Sequence, residues 1–146
     1  MKRIILGIII VTCLAFISLT AKCQCKSFAK NICLLDIKPA FVHDGNYHAA
    51  VLTEGEEAEL YKTFYSNTDY RIAICGVEQM PDIEFEVIDS DRNVVYSNKD
   101  NDYSRIWDFN LESSQQLRIS VKVLSNDNSD NVSSGCVAIM FGFKDK

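Results

Sequence analysis

The chain has 146 residues, with 15 lysines and arginines against 20 aspartates and glutamates, and a formal charge of −5. This length allows one domain and excludes a large multidomain enzyme. The excess of acid argues against a nucleic-acid partner, because no basic face is available to displace counterions from phosphates. The hydrophobic fraction of 47% is normal for a globular domain and argues against general disorder.

Residues 1–23 are predicted to be a secretory signal peptide. Lys2 and Arg3 form a short positive start, residues 4–19 are almost wholly apolar, and the next charge is Lys22. The apolar run is shorter than the roughly 20 residues that span a bilayer, so an uncleaved anchor is the less favoured alternative. Lipidation is also disfavoured, because neither Lys22 nor Gln24 is the small residue that normally precedes a lipidated cysteine.

Cleavage after residue 23 would leave a secreted or periplasmic domain, residues 24–146, that contacts the membrane only during export. It would remove three basic residues and no acidic residue, which changes the formal charge from −5 to −8. A chain of that length can bury roughly two-thirds of its unfolded surface in a single core.

Four cysteines remain in this domain, and an even number in an exported chain predicts two disulfides. They are Cys25, Cys33, Cys75 and Cys136. Their spacing matches neither paired zinc knuckles nor a redox Cys-x-x-Cys motif. Cys75 and Cys136 fall on the less bulky faces of two predicted strands, which favours pairing them with each other and Cys25 with Cys33. The alternative is that the N-terminal segment crosses that face and pairs with both strands.

The rest of the domain has the patterns of strands and turns. Apolar and polar residues alternate with the period of two that is typical of half-buried strands. The predicted strands are 32–37, 57–66, 70–77, 83–87, 94–96, 117–123 and 137–143, with a short strand at 107–109. Only residues 27–31 could hold a helical turn. Eight or nine short strands predict an all-β fold, a single antiparallel β-sandwich or jelly-roll-like domain.

Several fragments carry a family resemblance in their order along the chain. They are the run 52–56, Tyr70-Arg71-Ile72, the segments 85–89 and 93–98, Trp107-Asp108-Phe109 and 117–121. This order resembles the bacterial pre-peptidase C-terminal (PPC) type of β-sandwich over residues 50–143. The last strand, 135–143, is also similar to the ending of small secreted proteins of Gram-negative bacteria. Asn93 departs from the usual glycine of the PPC turn. The resemblance implies a secreted accessory or binding sandwich and supplies no catalytic residues.

The two histidines are candidate metal ligands. If Gly45 and Asn46 form a two-residue hairpin turn, His43 and His48 face each other across the strands, with Asp44 nearby. Exposed turn histidines are commoner than metal sites, and structural zinc usually needs four protein ligands. The same residues are the only conventional bases for the alternative function, a small secreted hydrolase or metal-dependent enzyme.

A calcium site is the other candidate for a cofactor. Asp89, Asp91 and Asn93 have the spacing of the first half of a calcium loop, and Asp100 falls at its twelfth position. Val94 stands where that loop needs glycine, so an aspartate-rich hairpin turn is favoured. No other cofactor is predicted.

Three aromatic side chains, Tyr96, Tyr103 and Trp107, could form a ligand-binding surface, although Trp107 is favoured as a core anchor because large aromatics dominate core burial. No Gly-x-Ser-x-Gly nucleophile elbow is present. Clustered acids at 54, 56, 57 and 59 leave sugar hydrolysis open, although a solvated face is the commoner meaning of such a cluster. The sequence therefore favours an exported, non-catalytic binding or accessory protein whose partner is a protein or glycan of the cell envelope.

Overall fold

The computed structural model describes residues 24–125 and 132–145, and the predicted signal peptide at 1–23 lies outside them. The chain begins there with helix α1, residues 24–31, and a short 3-10 helix, Cys33–Asp36. A second 3-10 helix covers Asn98–Asn101. The strands are β1 Val42–His43, β2 His48–Thr53, β3 Glu57–Phe64, β4 Thr68–Gly76, β5 Ile83–Ile88, β6 Val94–Ser97, β7 Ile106–Asn110, β8 Gln115–Val123 and β9 Ser134–Asp145.

The strands form two antiparallel sheets that pack face to face. Sheet A has the order β9-β4-β7, with β1 and β2 both lying along the free edge of β9. Sheet B has the order β3-β8-β5-β6. The predicted all-β sandwich is therefore confirmed. Among the described residues, no helix is long and apolar enough to cross a membrane.

The main core lies between the sheets and follows the period-two pattern of the sequence. On β8, alternate residues face inward and are fully buried, whereas Arg118 and Lys122 between them are not. The inward-facing residues of β8 are Leu117, Ile119, Val121 and Val123. They pack against buried aromatic rings such as Phe64 and Phe141, so the two sheets share one continuous apolar interior.

A second core covers the outer face of sheet A, where the N-terminal segment crosses the strands. Ile37 and Phe41 pack over small residues of the sheet, including Ala73 and Ala138. A Cβ at Gly142 would lie only 2.7 Å from the Phe41 Cβ, so glycine is what permits this close approach. The helical turn predicted at 27–31 is confirmed. The strand predicted at 32–37 is wrong, because the segment lies across the sheet instead of joining its hydrogen-bond ladder.

Both disulfides fasten this segment to sheet A. They join Cys25 to Cys136 and Cys33 to Cys75, with Cα–Cα distances of 5.2 and 6.0 Å. The favoured pairing of Cys75 with Cys136 is therefore wrong, and the alternative pairing is the one observed. The register explains why. Cys75 lies opposite Ala138, which places Cys136 on the longer diagonal, and such diagonals exceed the usual span of a disulfide.

Arg71 adds a polar anchor to the same segment. Its Nε and Nη2 donate to the two carboxylate oxygens of Asp108 at 2.7 Å, and its Nη1 donates to the Asp36 carbonyl at 3.0 Å. The guanidinium also lies 4.5 Å from the centroid of the Phe41 ring. The hydrogen bonds to Asp108 raise the pKa of Arg71 further above its ordinary value. The N-terminal segment is thus held by disulfides, apolar packing, a hydrogen bond and a cation–π contact together.

Candidate functional site

The two long sides of the sandwich, where the edges of sheets A and B face each other, are built differently. On the side between β6 and β7, the Trp107 ring stacks between Tyr96 at 4.5 Å and Phe109 at 4.2 Å, measured between ring centroids. All three rings are partly buried and pack against the main core. We call this the closed side. The aromatic stack fills the space between the sheets there, as expected of core residues.

The predicted aromatic ligand surface is therefore not assembled. Tyr96 and Trp107 are engaged with the core on the closed side. Tyr103 makes no ring contact with either of them in the part of the chain that the structure describes, and it lines a separate polar pocket with Arg105. A surface made of Tyr96, Tyr103 and Trp107 is not observed.

The opposite side, between β2 and β3, contains an apolar cleft of about 380 Å³, and we call it the open side. The inward-facing positions of β3 include Ala58 and Leu60, and both remain partly exposed. On β2, Ala50 has the same parity as the buried Leu52 but is itself exposed. Small side chains at these edge positions leave the gap unfilled, so the core residue Val121 of β8 lines the cleft floor.

An ion pair closes one end of the open side. Lys62 occupies an inward-facing position of β3, where the alternation calls for an apolar residue, and its Nζ lies 2.8 Å from Asp44 Oδ2. The side chains of Lys62 and Asp44 are only 24% and 11% exposed. The ammonium also lies 4.8 Å from the centroid of the Phe141 ring, within the range of a cation–π contact.

The pKa of Asp44 reflects this pairing. Burial alone would raise the pKa of its carboxyl, but hydrogen bonds from Lys62 and from the Asn46 amide together lower it below its ordinary value. The carboxylate is therefore charged at neutral pH. Lys62 is a residue that the sequence interpretation missed. The signal was present as the single charged residue among the inward positions Ala58, Leu60, Lys62 and Phe64.

The predicted histidine hairpin is wrong. β1 and β2 both pair with β9, where His43 lies opposite Gly142 and His48 lies opposite Ile139, so the two histidines follow one another along the same sheet edge. His43 Nδ1 accepts a hydrogen bond from the Gly45 amide at 3.2 Å. Its Nε2 therefore carries the proton and donates to the Asn46 carbonyl at 3.1 Å. Both ring nitrogens of His43 thus stabilise the loop between β1 and β2.

His48 lines the open side and makes an edge-on contact with Phe141. Burial lowers the pKa of its imidazole, which Asp44 partly offsets, while Lys62 and His43 lower it further. Across residues 24–125 and 132–145, no group of three or more histidine, cysteine, aspartate or glutamate side chains is placed to hold a metal ion. The metal role predicted for the histidine pair therefore lacks the ligands it needs among these residues, whereas the base role stays a prediction.

The calcium-loop residues do not form one site, because Asp100 lies apart from the other three. The Asp89 carboxylate accepts hydrogen bonds from the amides of Asp91 and Asn93 and from the Asn93 side chain, at 2.8–3.0 Å. Its oxygens are therefore used within the β5–β6 turn, and the bond from the Asn93 side chain is the main reason why the pKa of Asp89 is lowered. Asp100 lies beyond the other end of β6, in the second 3-10 helix. The hairpin-turn interpretation is the correct one.

The clustered glutamates lie along the turn and strand that border the open side. Their carboxylates contact separate partners rather than each other. Glu54 accepts from the Ser133 amide, Glu56 from the Thr53 amide, Glu57 from the Ser120 hydroxyl and Glu59 from Arg118. Glu56, Glu57 and Glu59 are exposed, and of these Glu59 lines the cleft.

A solved structure with the same fold is that of Aeromonas hydrophila PliG, a periplasmic lysozyme inhibitor of g-type lysozyme. The two chains are 12% identical, and the match covers 68% of this chain and 85% of that chain with a TM-score of 0.51. At this identity the likeness shows the fold alone. No family model matches the chain. No curated protein matches it either. The resemblance to PPC domains therefore stays a prediction.

Proposed function

We propose that this protein is an exported, non-catalytic binding protein that uses its open side to bind a basic protein partner. The observation that carries the proposal is the apolar cleft between β2 and β3, which is lined at its rim by Glu59 and belongs to a chain of net negative charge. Export is supported by two disulfides, which persist in oxidising compartments. A non-catalytic role is supported by His43, whose two ring nitrogens both hold the β1–β2 loop, and by the clustered glutamates, whose carboxylates contact separate partners.

The shape of the cleft favours a partner that inserts an apolar side chain. Apolar pockets at the centre of an interface commonly receive such anchors, while charges at the rim steer the approach of a partner of opposite charge. The free edge of β3 also exposes backbone groups to which an extended partner segment could hydrogen-bond. A basic protein with an exposed apolar or aromatic side chain fits all three features.

The fold of a g-type lysozyme inhibitor supports a first choice of partner. We therefore propose that a g-type lysozyme is the first protein to test. It would be titrated, in a calorimeter, into the protein of residues 24–146 with both disulfides formed. Affinity capture from an envelope extract, with identification by mass spectrometry, extends the search. Saturable binding to a basic protein is the expected result in either arm.

Two matched variants test whether the open side is responsible. Ala50→Phe places a ring in the cleft from an exposed position, and we expect it to weaken binding at least tenfold by occupying the anchor pocket. Val51→Phe adds a ring to the adjacent residue of the same strand, on its other face, and should bind like the wild type. If both folded variants bind equally well, the open side is not the binding site. If only the lysozyme arm fails, the choice of lysozyme is wrong and the binding role is retained.

A further inference from the structure

The outer face of sheet B carries another cavity, which is distinct from the open side. Its volume is about 510 Å³, and it lies where the β5–β6 turn meets the surfaces of β3 and β8. Tyr61 of β3 lies opposite Arg118 of β8, and Arg118 lies opposite Ile88 of β5. These three residues form one row across the sheet, and the β5–β6 turn, with Arg92, borders that row.

The turn presents Arg92 in a fixed position. Arg92 has a φ of 68°, in the left-handed region that few residues other than glycine and asparagine adopt. The turn is held by the three hydrogen bonds to the Asp89 carboxylate and by the Arg92 amide, which donates to the Asp89 carbonyl at 3.2 Å. Asp89 lines the cavity, but its carboxylate is occupied by the turn, and the cation that the turn contributes to the lining is the exposed Arg92.

The cavity has unused hydrogen-bond donors and an uncovered ring. The Arg92 guanidinium has no hydrogen-bond or ion-pair partner among the described residues. Arg118 contacts Glu59 through Nη1, at 2.6 Å, which leaves its other guanidinium nitrogens free to donate. Gln116 lines the same cavity, and Tyr61 is 62% exposed. An unpaired arginine is notable on a chain whose net charge is negative, because acidic partners are plentiful elsewhere on its surface.

We propose that this cavity binds a saccharide that bears a carboxylate. Guanidinium groups bind carboxylates through paired hydrogen bonds, which accounts for Arg92 and Arg118. The exposed Tyr61 ring offers a flat apolar surface for the face of a sugar ring, and Gln116 can hydrogen-bond its hydroxyl groups. A peptide carboxylate would use the two arginines but would have no need of the ring. The combination of ring, amide and cations therefore favours the acidic sugar.

The test uses a galacturonic acid trisaccharide as the probe, with maltotriose as the uncharged control and triglutamate as the peptide control. Binding would be followed by NMR titration of oxidised residues 24–146. We expect saturable shifts for Arg92, Arg118 and Tyr61 with the acidic trisaccharide and none with maltotriose. Failure of the acidic trisaccharide to bind, or shifts that map to another surface, would overturn the proposal.

Variants that preserve the fold separate the ligand classes. Arg92→Asn suits the left-handed backbone, so it removes the cation without straining the turn, and we expect about a tenfold weaker affinity. Lys99→Asn makes the same charge change at an exposed site outside the cavity and should bind like the wild type. Equal affinities for these two variants would contradict the proposal. Tyr61→Thr should weaken saccharide binding. If triglutamate binds tightly and its affinity is unchanged by Tyr61→Thr, the occupant is a protein carboxylate and the proposal is wrong.

Discussion

The closed and open sides of the sandwich differ in the size of the side chains that lie between the edges of the two sheets. Both are places where two sheets meet at their edge strands, so both expose the rim of the main core. The closed side is filled by the stacked rings of Tyr96, Trp107 and Phe109. The open side has Ala50 and Ala58 at comparable edge positions, and an ion pair closes one of its ends.

This difference shows which aromatic residues of the chain are structural and where a partner has room. Large rings at an edge contribute burial and exclude ligands, because a filled interface has no space for an anchor. Small residues at an edge bury less apolar area and leave a concave apolar surface. One candidate surface in the sequence interpretation consisted of aromatic residues, whereas the cleft proposed as a binding site lies where the side chains are small.

The largest loss of stability is expected when an aromatic ring is removed from the closed side. Trp107→Ala should lower the free energy of unfolding by about 3 kcal/mol, at the low end for such truncations because the ring is only partly buried. Leu60→Ala on the open side should cost about 1 kcal/mol, since its surroundings already admit water. Urea denaturation followed by circular dichroism measures both. Similar losses for the two variants would show that the sides do not differ in packing.

A smaller effect is expected from breaking the ion pair of the open side. Lys62→Ala leaves the Asp44 carboxylate with a hydrogen bond from the Asn46 amide but without a counter-charge, and we expect a loss of about 1–2 kcal/mol. The double variant Lys62→Met with Asp44→Asn should lose less than the sum of its single variants, because it removes both charges together. Additive losses in this double-mutant cycle would show that the pair is not coupled.

Much of the fold could be predicted from the sequence, because each half-buried strand carries its own period-two pattern. The strands around Phe85 and Leu117 and the turn at Asp89 follow from local residues alone. The path of the N-terminal segment could not, since residues 32–37 read equally well as a short strand. Only the outer face of sheet A, with its small residues at 73, 138 and 142, explains why that segment lies flat on the sheet.

The candidate site was less predictable than the fold, because it depends on which strands become neighbours. His43 and His48 flank a good turn sequence, but β9 binds both of their strands and prevents the hairpin from forming. The disulfide pairing failed for the same reason, since it is set by the register between Cys75 and Ala138. Lys62 was the one local clue to the open side, as a charge on an otherwise apolar strand face.

The smallest predicted effect, a pH dependence of stability, is specific to the open side. The pKa of His48 is lowered in the folded protein, so between its unfolded value of 6.5 and its folded value the unfolded chain binds more protons. Stability should therefore fall as the pH is lowered through 6.5. The loss should be about 0.5 kcal/mol or less, because His48 is solvent-exposed and water screens its charge.

Urea titrations at pH 7.5 and 5.5 measure this change, and the chain has only two histidines to titrate in that range. His48→Gln should reduce the pH dependence, whereas Trp107→Ala should lower stability at both pH values and leave their difference unchanged. The pKa of Asp44 is also lowered, so its contribution should be retained down to about pH 3.8 and lost only below that value. An undiminished pH dependence in His48→Gln would show that the effect does not arise from the histidine of the cleft.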